Sequence, residues 1–142
     1  MNYTGCGKIS VDKNKSIFIK VNNDFVNYYR WLIQKRYFGA TGANTFLNGI
    51  SKLATPRLGA HISIVNANLH GWNPEWNKLK LIGQNAYFHY DPQIVYIGGR
   101  GFSNFWIPVH SDLINKIKKD LEIKEHKKYL GAHITICSNK GL

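Results

Sequence analysis

The chain has 142 residues, 44% of them apolar and 19% charged, which suits one globular domain that needs neither a metal nor a disulfide to fold. The two cysteines, Cys6 and Cys137, form no C-x-x-C pair, and no apolar run could span a membrane or serve as a signal peptide, so we expect a cytoplasmic protein. With 19 Lys and Arg against 8 Asp and Glu, the net charge of +11 favours an anionic partner such as a nucleotide, nucleic acid or anionic lipid, although a basic surface can also serve solubility alone.

The first predicted unit is a strand followed by a helix. Residues 16–21 alternate between two faces, with Phe18 and Lys20 opposite the isoleucines, which is typical of a strand. Residues 22–24 offer N-cap side chains, and apolar residues follow at helical spacing up to Gly39. A helix of about four turns is predicted.

A glycine-rich segment and a polar strand come next. Residues 39–57 show no sustained period and predict a loop, whereas residues 58–64, L-G-A-H-I-S-I, predict a strand with His61 and Ser63 on one face. Residues 66–79, with a glycine, a proline and two tryptophans, predict an irregular crossover.

The second half repeats the order of strand, helix and strand. Three strands are predicted before its helix, at 85–90, 93–97 and 104–109. The turn residues between them favour a meander. A helix capped by Ser111 and Asp112 follows, and residues 130–136, L-G-A-H-I-T-I, predict the final strand.

The seven-residue motif therefore occurs twice, 72 residues apart, with one Ser/Thr exchange. The strand and helix before each copy also match, at an offset of 88 that places Phe18 on Trp106 and Asp24 on Asp112. The offset of 88 between the strands and helices exceeds the motif offset of 72 by 16, so we expect an insertion of about 16 residues within 39–57. An insertion beside the first motif could cover a ligand as a lid.

Each motif presents an imidazole and a hydroxyl from one face of a strand, His61 with Ser63 and His133 with Thr135. If an approximate two-fold axis relates the halves, both polar faces meet in one cleft. One neutral histidine could then accept a proton from an attacking hydroxyl or water while the other protonates the leaving oxygen. The hydroxyls could stabilise charge on a phosphoryl group, so the pattern favours metal-free cleavage of a phosphodiester.

Two other interpretations of the histidines stay open. A single His-x-Ser on a strand is most often structural, although two copies in matched halves favour function. His61 and His133 could also bind zinc, with His70, His89 or His110 as a third ligand, but no Cys or carboxylate stands at ligand spacing. We therefore expect no metal and no other cofactor.

The repeated H-x-[ST]-hydrophobic motif resembles that of the two-histidine (2H) phosphoesterase superfamily. The resemblance covers both motifs and the strand and helix before each. It implies that His61 and His133 are the catalytic pair and that Ser63 and Thr135 hold the phosphate. It also implies activities such as RNA 2′,3′-cyclic phosphodiesterase, 2′,5′-oligonucleotide phosphodiesterase, or phage nuclease against cyclic oligonucleotide immune signals. Two departures are Ser in the first motif, where Thr is common, and a chain end seven residues after Thr135.

The internal alignment also suggests residues that bind the substrate. Phe18 and Trp106 occupy matching positions, and we expect one on each side of the cleft, where each could stack on a base; packing against a loop is the alternative. Arg57, Arg100 and Lys140 are candidate cations for phosphate because they flank the motifs or lie in the glycine-rich turn.

The sequence thus predicts a single α+β domain over residues 1–142, with two pseudo-symmetric lobes at about 14–66 and 84–142. Each lobe is expected to contain an antiparallel sheet with helices on the outside, and the lobes to face a central cleft. The expected function is hydrolysis of a nucleotide or short oligonucleotide in the cytoplasm, or in the host cytoplasm for a phage or viral protein. The competing hypothesis is a non-catalytic RNA- or nucleotide-binding module. No obligate protein partner is expected.

Overall fold

The computed structural model describes residues 2–38, 56, 58–67, 80–99, 102–124 and 131–140. In these ranges the chain forms nine helices and strands in the order β1 (Tyr3–Val11), β2 (Ile17–Lys20), α1 (Asn23–Phe38), β3 (His61–Val65), β4 (Asn85–Tyr90), β5 (Val95–Gly99), β6 (Phe102–His110), α2 (Asp112–Asp120) and β7 (His133–Lys140). No helix within the described ranges combines the length and the apolar content needed to cross a membrane.

All seven strands belong to one antiparallel sheet in the order β4-β1-β2-β3-β7-β6-β5. Because β4 pairs with β6 as well as with β1, six of the strands close into a ring, and β5 extends the sheet from β6. Two of these strand pairings are short. β3 and β7 share the single pair Ile62–Ile134, and β4 and β6 share two pairs at the end of β4.

The expected bilobal α+β fold, with two separate sheets and helices around them, is wrong. The described chain is mostly sheet and forms a closed six-stranded antiparallel barrel with two helices. The physical reason is that strand pairing joins the two halves of the chain at two places. The Ile62–Ile134 pair joins the two halves at the motifs, and β4 joins them again by pairing with β1 and β6.

One face of the sheet packs with the two helices into a continuous apolar core. α1 contributes Val26 and Ile33, and α2 contributes Ile114 and Ile117, all at most 2% exposed. The strands add a set of isoleucines with 1% exposure or less: Ile9, Ile17, Ile19, Ile62, Ile64, Ile107, Ile134 and Ile136. Burying each such side chain stabilises the fold by about 1.5–3 kcal/mol.

Most of the predicted helices and strands are confirmed. The strand at 16–21 is β2, the first helix is α1, residues 85–90 are β4, and the second helix is α2, in which the Ser111 hydroxyl accepts from the Ile114 N–H at 3.2 Å. The meander is wrong, because β5 pairs with β6 whereas β4 pairs with β1 and β6. The insertion at 39–57 lies outside the described residues except for Pro56, and so does most of the crossover.

Strand β1 has no counterpart in the sequence prediction, and its two glycines explain why. A Cβ added at Gly5 would overlap the Phe88 ring, and one at Gly7 would overlap the backbone of Lys20. Neighbouring strands therefore require glycines here, whereas glycine in a sequence ordinarily argues against a strand.

Candidate active site

Strands β3 and β7 bring the two motifs together at one seam of the ring. Ile62 lies opposite Ile134, with both side chains in the core. Side chains alternate along a strand, so the residues next to this pair project from the opposite face. These residues are His61 and Ser63 in β3 and His133 and Thr135 in β7. The two imidazoles and two hydroxyls therefore share one face, around a local two-fold axis through the isoleucine pair.

Each histidine is held by a hydrogen bond to a backbone carbonyl two residues earlier. His61 Nδ1 lies 2.8 Å from the Gly59 oxygen, and His133 Nδ1 lies 2.7 Å from the Gly131 oxygen. A carbonyl can only accept, so Nδ1 must carry the hydrogen in both rings. The neutral rings consequently keep their lone pair on Nε2, the nitrogen that can exchange protons with a substrate.

The same tight turn precedes both histidines and explains the glycine of each motif. Gly59 has φ 72° and Gly131 has φ 78°, in the left-handed region that residues with a Cβ rarely adopt. In the first turn, the Ala60 carbonyl accepts from the Val21 N–H at 2.9 Å, and the Ala60 N–H donates to Asn23 Oδ1 at 2.9 Å. The turn thus aims its glycine carbonyl at the imidazole.

Each motif strand also contains a β-bulge directly after its hydroxyl residue. The pairing of β3 with β2 passes over Ile64, and the pairing of β7 with β6 passes over Ile136. The next residues, Val65 and Cys137, are buried together with these isoleucines. A bulge redirects the strand and is frequent beside functional sites, and here it occurs at the same motif position in both halves.

The predicted aromatic pair lies on the histidine face, one ring in each half. Phe18 is opposite Ser63, and Trp106 is opposite Thr135. The Phe18 ring meets the His61 ring edge-on at 5.8 Å, and the Trp106 ring lies 6.0 Å from that of His133. Their exposed fractions are only 8% and 6%, so both rings support the imidazoles from the side. Base stacking would need more of either ring to be exposed, and it stays a prediction.

The surroundings of His133 favour its neutral form. Burial lowers its pKa below the usual 6.5, and the positive charges of His61 and Lys118 act in the same direction. The hydrogen bond to the Gly131 carbonyl opposes this change but does not reverse it. At neutral pH, His133 is therefore ready to accept a proton.

The side chains of the three predicted phosphate-binding cations lie outside the described part of the chain. Arg57 and Arg100 lie outside the described residues. Lys140 ends β7, five positions after Thr135, which is about 17 Å along an extended strand. Their contact with phosphate stays a prediction.

Lys20 is a cation at the site that sequence reasoning did not select. It ends β2 directly opposite His61, and it is exposed. The alternation of β2 in the sequence already places Lys20 on the same face as Phe18. Only the strand pairing shows that this face is also the face of His61.

The described residues contain no cluster of three His, Cys, Asp or Glu side chains suited to a metal ion. His89 and His110 face each other across β4 and β6, but their recorded partners are Thr4 and Asp112, at 3.2 and 3.1 Å. His70, the other zinc candidate, lies outside the described residues.

Comparison with known proteins gives no relative: no protein-family model, no curated protein and no solved structure matches the chain significantly. The resemblance to the 2H phosphoesterases therefore rests on the sequence alone and stays a prediction.

Proposed function

We propose that the protein is a phosphodiesterase that hydrolyses a nucleotide or a short oligonucleotide, linear or cyclic, by acid–base catalysis with two histidines. The main support is the placement of His61, Ser63, His133 and Thr135 on one face of the β3–β7 pair, each imidazole with Nε2 free of the backbone contact. The net charge of +11 is suited to an anionic substrate.

The proposed reaction divides proton transfer between the two rings. His133 Nε2 takes a proton from the attacking water as the oxygen of that water bonds to phosphorus. His61 Nε2–H gives a proton to the leaving oxygen as its bond to phosphorus breaks. This assignment follows from the burial of His133, which favours the neutral form that a base requires.

Ser63 and Thr135 serve the phosphoryl group in this scheme. The two hydroxyls lie on the same face as the imidazoles, so the two can donate to the two non-bridging oxygens. Fixed donors of this kind stabilise the charge that develops as phosphorus becomes five-coordinate.

Several substrates share this bond chemistry and belong to the same proposal. They are RNA 2′,3′-cyclic phosphates, 2′,5′-linked oligonucleotides, and the cyclic oligonucleotides that act as immune signals, which a phage enzyme would degrade in the host cytoplasm. The motifs are those for which 2H phosphoesterases are named, which supports the chemistry without choosing among these linkages.

The test is hydrolysis of a panel of these oligonucleotides in EDTA, with products resolved by chromatography. His61→Ala and His133→Ala should each lower kcat by about 10²–10⁴-fold, the usual contribution of a general acid or base. His133→Asn should do the same while remaining folded, because the amide can still donate to the Gly131 carbonyl.

The matched controls are His89→Ala and His110→Ala, which remove imidazoles from the β4–β6 seam outside the motifs. Both should retain activity. Full activity of either motif variant would contradict the mechanism, and loss of activity in EDTA would favour the zinc alternative. Ligand binding without turnover of any substrate would favour the binding module.

A further inference from the structure

A row of cations leads from His61 across the neighbouring strands. Lys20 of β2 lies opposite His61, and Lys8 of β1 lies opposite Lys20. Facing residues project from the same side of a sheet, and adjacent strands are about 4.8 Å apart. The backbone positions of the two lysines therefore lie about 5 and 10 Å from that of His61 along one line.

This row distinguishes two halves that otherwise match closely at the site. The first half has Phe18, a Gly-carbonyl turn and a bulge, and the second half has equivalents of all three. The residue opposite His133, however, is Pro108, which has no charge. Among the described strand neighbours that face the two histidines, only the one opposite His61 thus carries a positive charge.

The two lysines are available to an anion. Both are exposed, and neither forms an ion pair with another residue in the described ranges. None of the seven strands contains an Asp or a Glu, so no acidic side chain from the sheet neutralises the row. Like charges directly opposite each other destabilise a strand pair, and a bound anion would offset this repulsion.

We propose that Lys20 and Lys8 bind a second phosphate group of the substrate, next to the scissile phosphodiester and on the His61 side. This inference rests on the proposed function. It requires a substrate with at least two phosphate groups one nucleotide apart, such as a dinucleotide with a terminal phosphate or a cyclic oligonucleotide. A nucleoside 2′,3′-cyclic phosphate would leave the row empty. The substrate would bind in one direction, although the two motifs are nearly equivalent.

The kinetic test uses one dinucleotide in three forms: without a terminal phosphate, with a 5′-phosphate, and with a 3′-phosphate. The wild-type protein should prefer one phosphorylated form by about tenfold in kcat/KM, the size expected of one charged contact. Lys20→Ala should abolish that preference, lowering kcat/KM for the preferred phosphorylated form about tenfold more than for the unphosphorylated form. Lys8→Ala should reduce the preference partly.

The matched control is Lys116→Ala, which removes the same charge from the exposed side of α2. It should leave the preference intact, because the effect requires the position of the charge and not the net charge. An equal loss for all three substrates in Lys20→Ala, or a loss no larger than in Lys116→Ala, would overturn the proposal.

A binding measurement separates this inference from the function on which it rests. Inorganic pyrophosphate is titrated into the wild-type protein and the three lysine variants, and backbone amide shifts of Phe18 and Val21, which flank the row, are followed by NMR. Saturable shifts that Lys20→Ala removes and Lys116→Ala keeps would support the phosphate site even if no oligonucleotide is cleaved. With no cleavage and no such shifts, both proposals fail.

Discussion

At the scale of single residues, the two histidines share one hydrogen-bond arrangement but differ in their neighbours. Each donates from Nδ1 to a glycine carbonyl, which fixes the tautomer and directs Nε2 away from the turn. Across the strand pairs, His61 faces a lysine and His133 faces a proline. The two rings therefore have different surroundings within a frame that the two halves share.

Burial of His133 predicts that the protein loses stability in mild acid. Its folded-state pKa lies below 6.5, the value expected in the unfolded chain, so below that pH the unfolded state binds more protons. The free energy of unfolding should therefore fall as the pH decreases through 6.5 and down to the folded pKa. Urea denaturation from pH 8 to pH 5 measures the slope.

His133→Asn should weaken this dependence, since it removes the titrating ring and keeps the donor to the Gly131 carbonyl. At pH 8–9 imidazole is neutral in both the folded and the unfolded state. The free energies of unfolding of the wild-type protein and of His133→Asn should therefore differ by a constant amount there. Identical slopes for both proteins between pH 7 and pH 5 would contradict the assignment.

The motif residues could be identified from sequence because the repeat is local and a strand alternates with period two. The place of Lys20 opposite His61 could not, because it depends on which strand pairs with β3. The burial of the two aromatics could not either, because it depends on what packs against them. Lys20 and Phe18 lie on the same face of β2, yet Lys20 is exposed whereas Phe18 is only 8% exposed.

At the scale of helices and strands, the Gly-Ala-His turn is the unit that repeats. It precedes each motif strand, and its glycine carbonyl accepts a hydrogen bond from the imidazole. Its alanine carbonyl accepts from the N–H of Val21 in the first half and of Val109 in the second, both at 2.9 Å, close to the start of each helix. The glycine is required by the positive φ at Gly59 and Gly131. The turn therefore couples the start of each helix to the orientation of a motif imidazole.

Replacing these glycines should reduce both stability and activity. Gly131→Ala has open space around the new Cβ, so it should cost only the left-handed backbone, about 1–2 kcal/mol. Gly59→Ala should cost more, because its Cβ would lie 2.6 Å from Asn23 Oδ1, the acceptor of the Ala60 N–H. Chemical denaturation and kcat measure the two effects.

Gly83 provides the control, since it also has positive φ (88°) and open space but lies far along the chain from either motif. Gly83→Ala should lower stability about as much as Gly131→Ala and leave kcat unchanged. If all three variants kept full activity, the turns would have no part in orienting the histidines.

The helices and most strands could be predicted from the spacing of apolar residues, because each buries one continuous face against the core. Strand β1 did not, because two of its positions are glycines that make room for Phe88 and for the backbone of β2. The bulges were also missed, although two adjacent buried apolar residues after each hydroxyl, Ile64–Val65 and Ile136–Cys137, are the local signal for them.

At the scale of the whole molecule, β4 decides the architecture. Without it, β1-β2-β3 and β7-β6-β5 would form an open sheet with matched halves. β4 pairs with β1 along six residues, from Tyr3–Tyr90 to Lys8–Asn85, and its end pairs with β6. Nothing in the sequence of β4 distinguishes these partners from β5, so closure could not be predicted.

The contact between Gly5 and Phe88 allows closure to be tested. Gly5→Ala would push a methyl group into the Phe88 ring and should lower the free energy of unfolding by about 1–3 kcal/mol, as overpacking does. Phe88→Leu alone should also destabilise the protein, but combined with Gly5→Ala it should recover part of the loss. Strictly additive losses in this double-mutant cycle would contradict the close approach of β1 to β4.

The central place of β7 has a consequence for folding kinetics. β7 lies between β3, some 72 positions earlier, and β6, while β1 pairs with β4 across more than 75 residues. Pairings between such distant segments require large loop closures, and proteins rich in them fold in milliseconds to seconds. The two histidines should therefore come together late, when the single Ile62–Ile134 pair forms, and stopped-flow refolding should show tryptophan burial before the proposed activity returns.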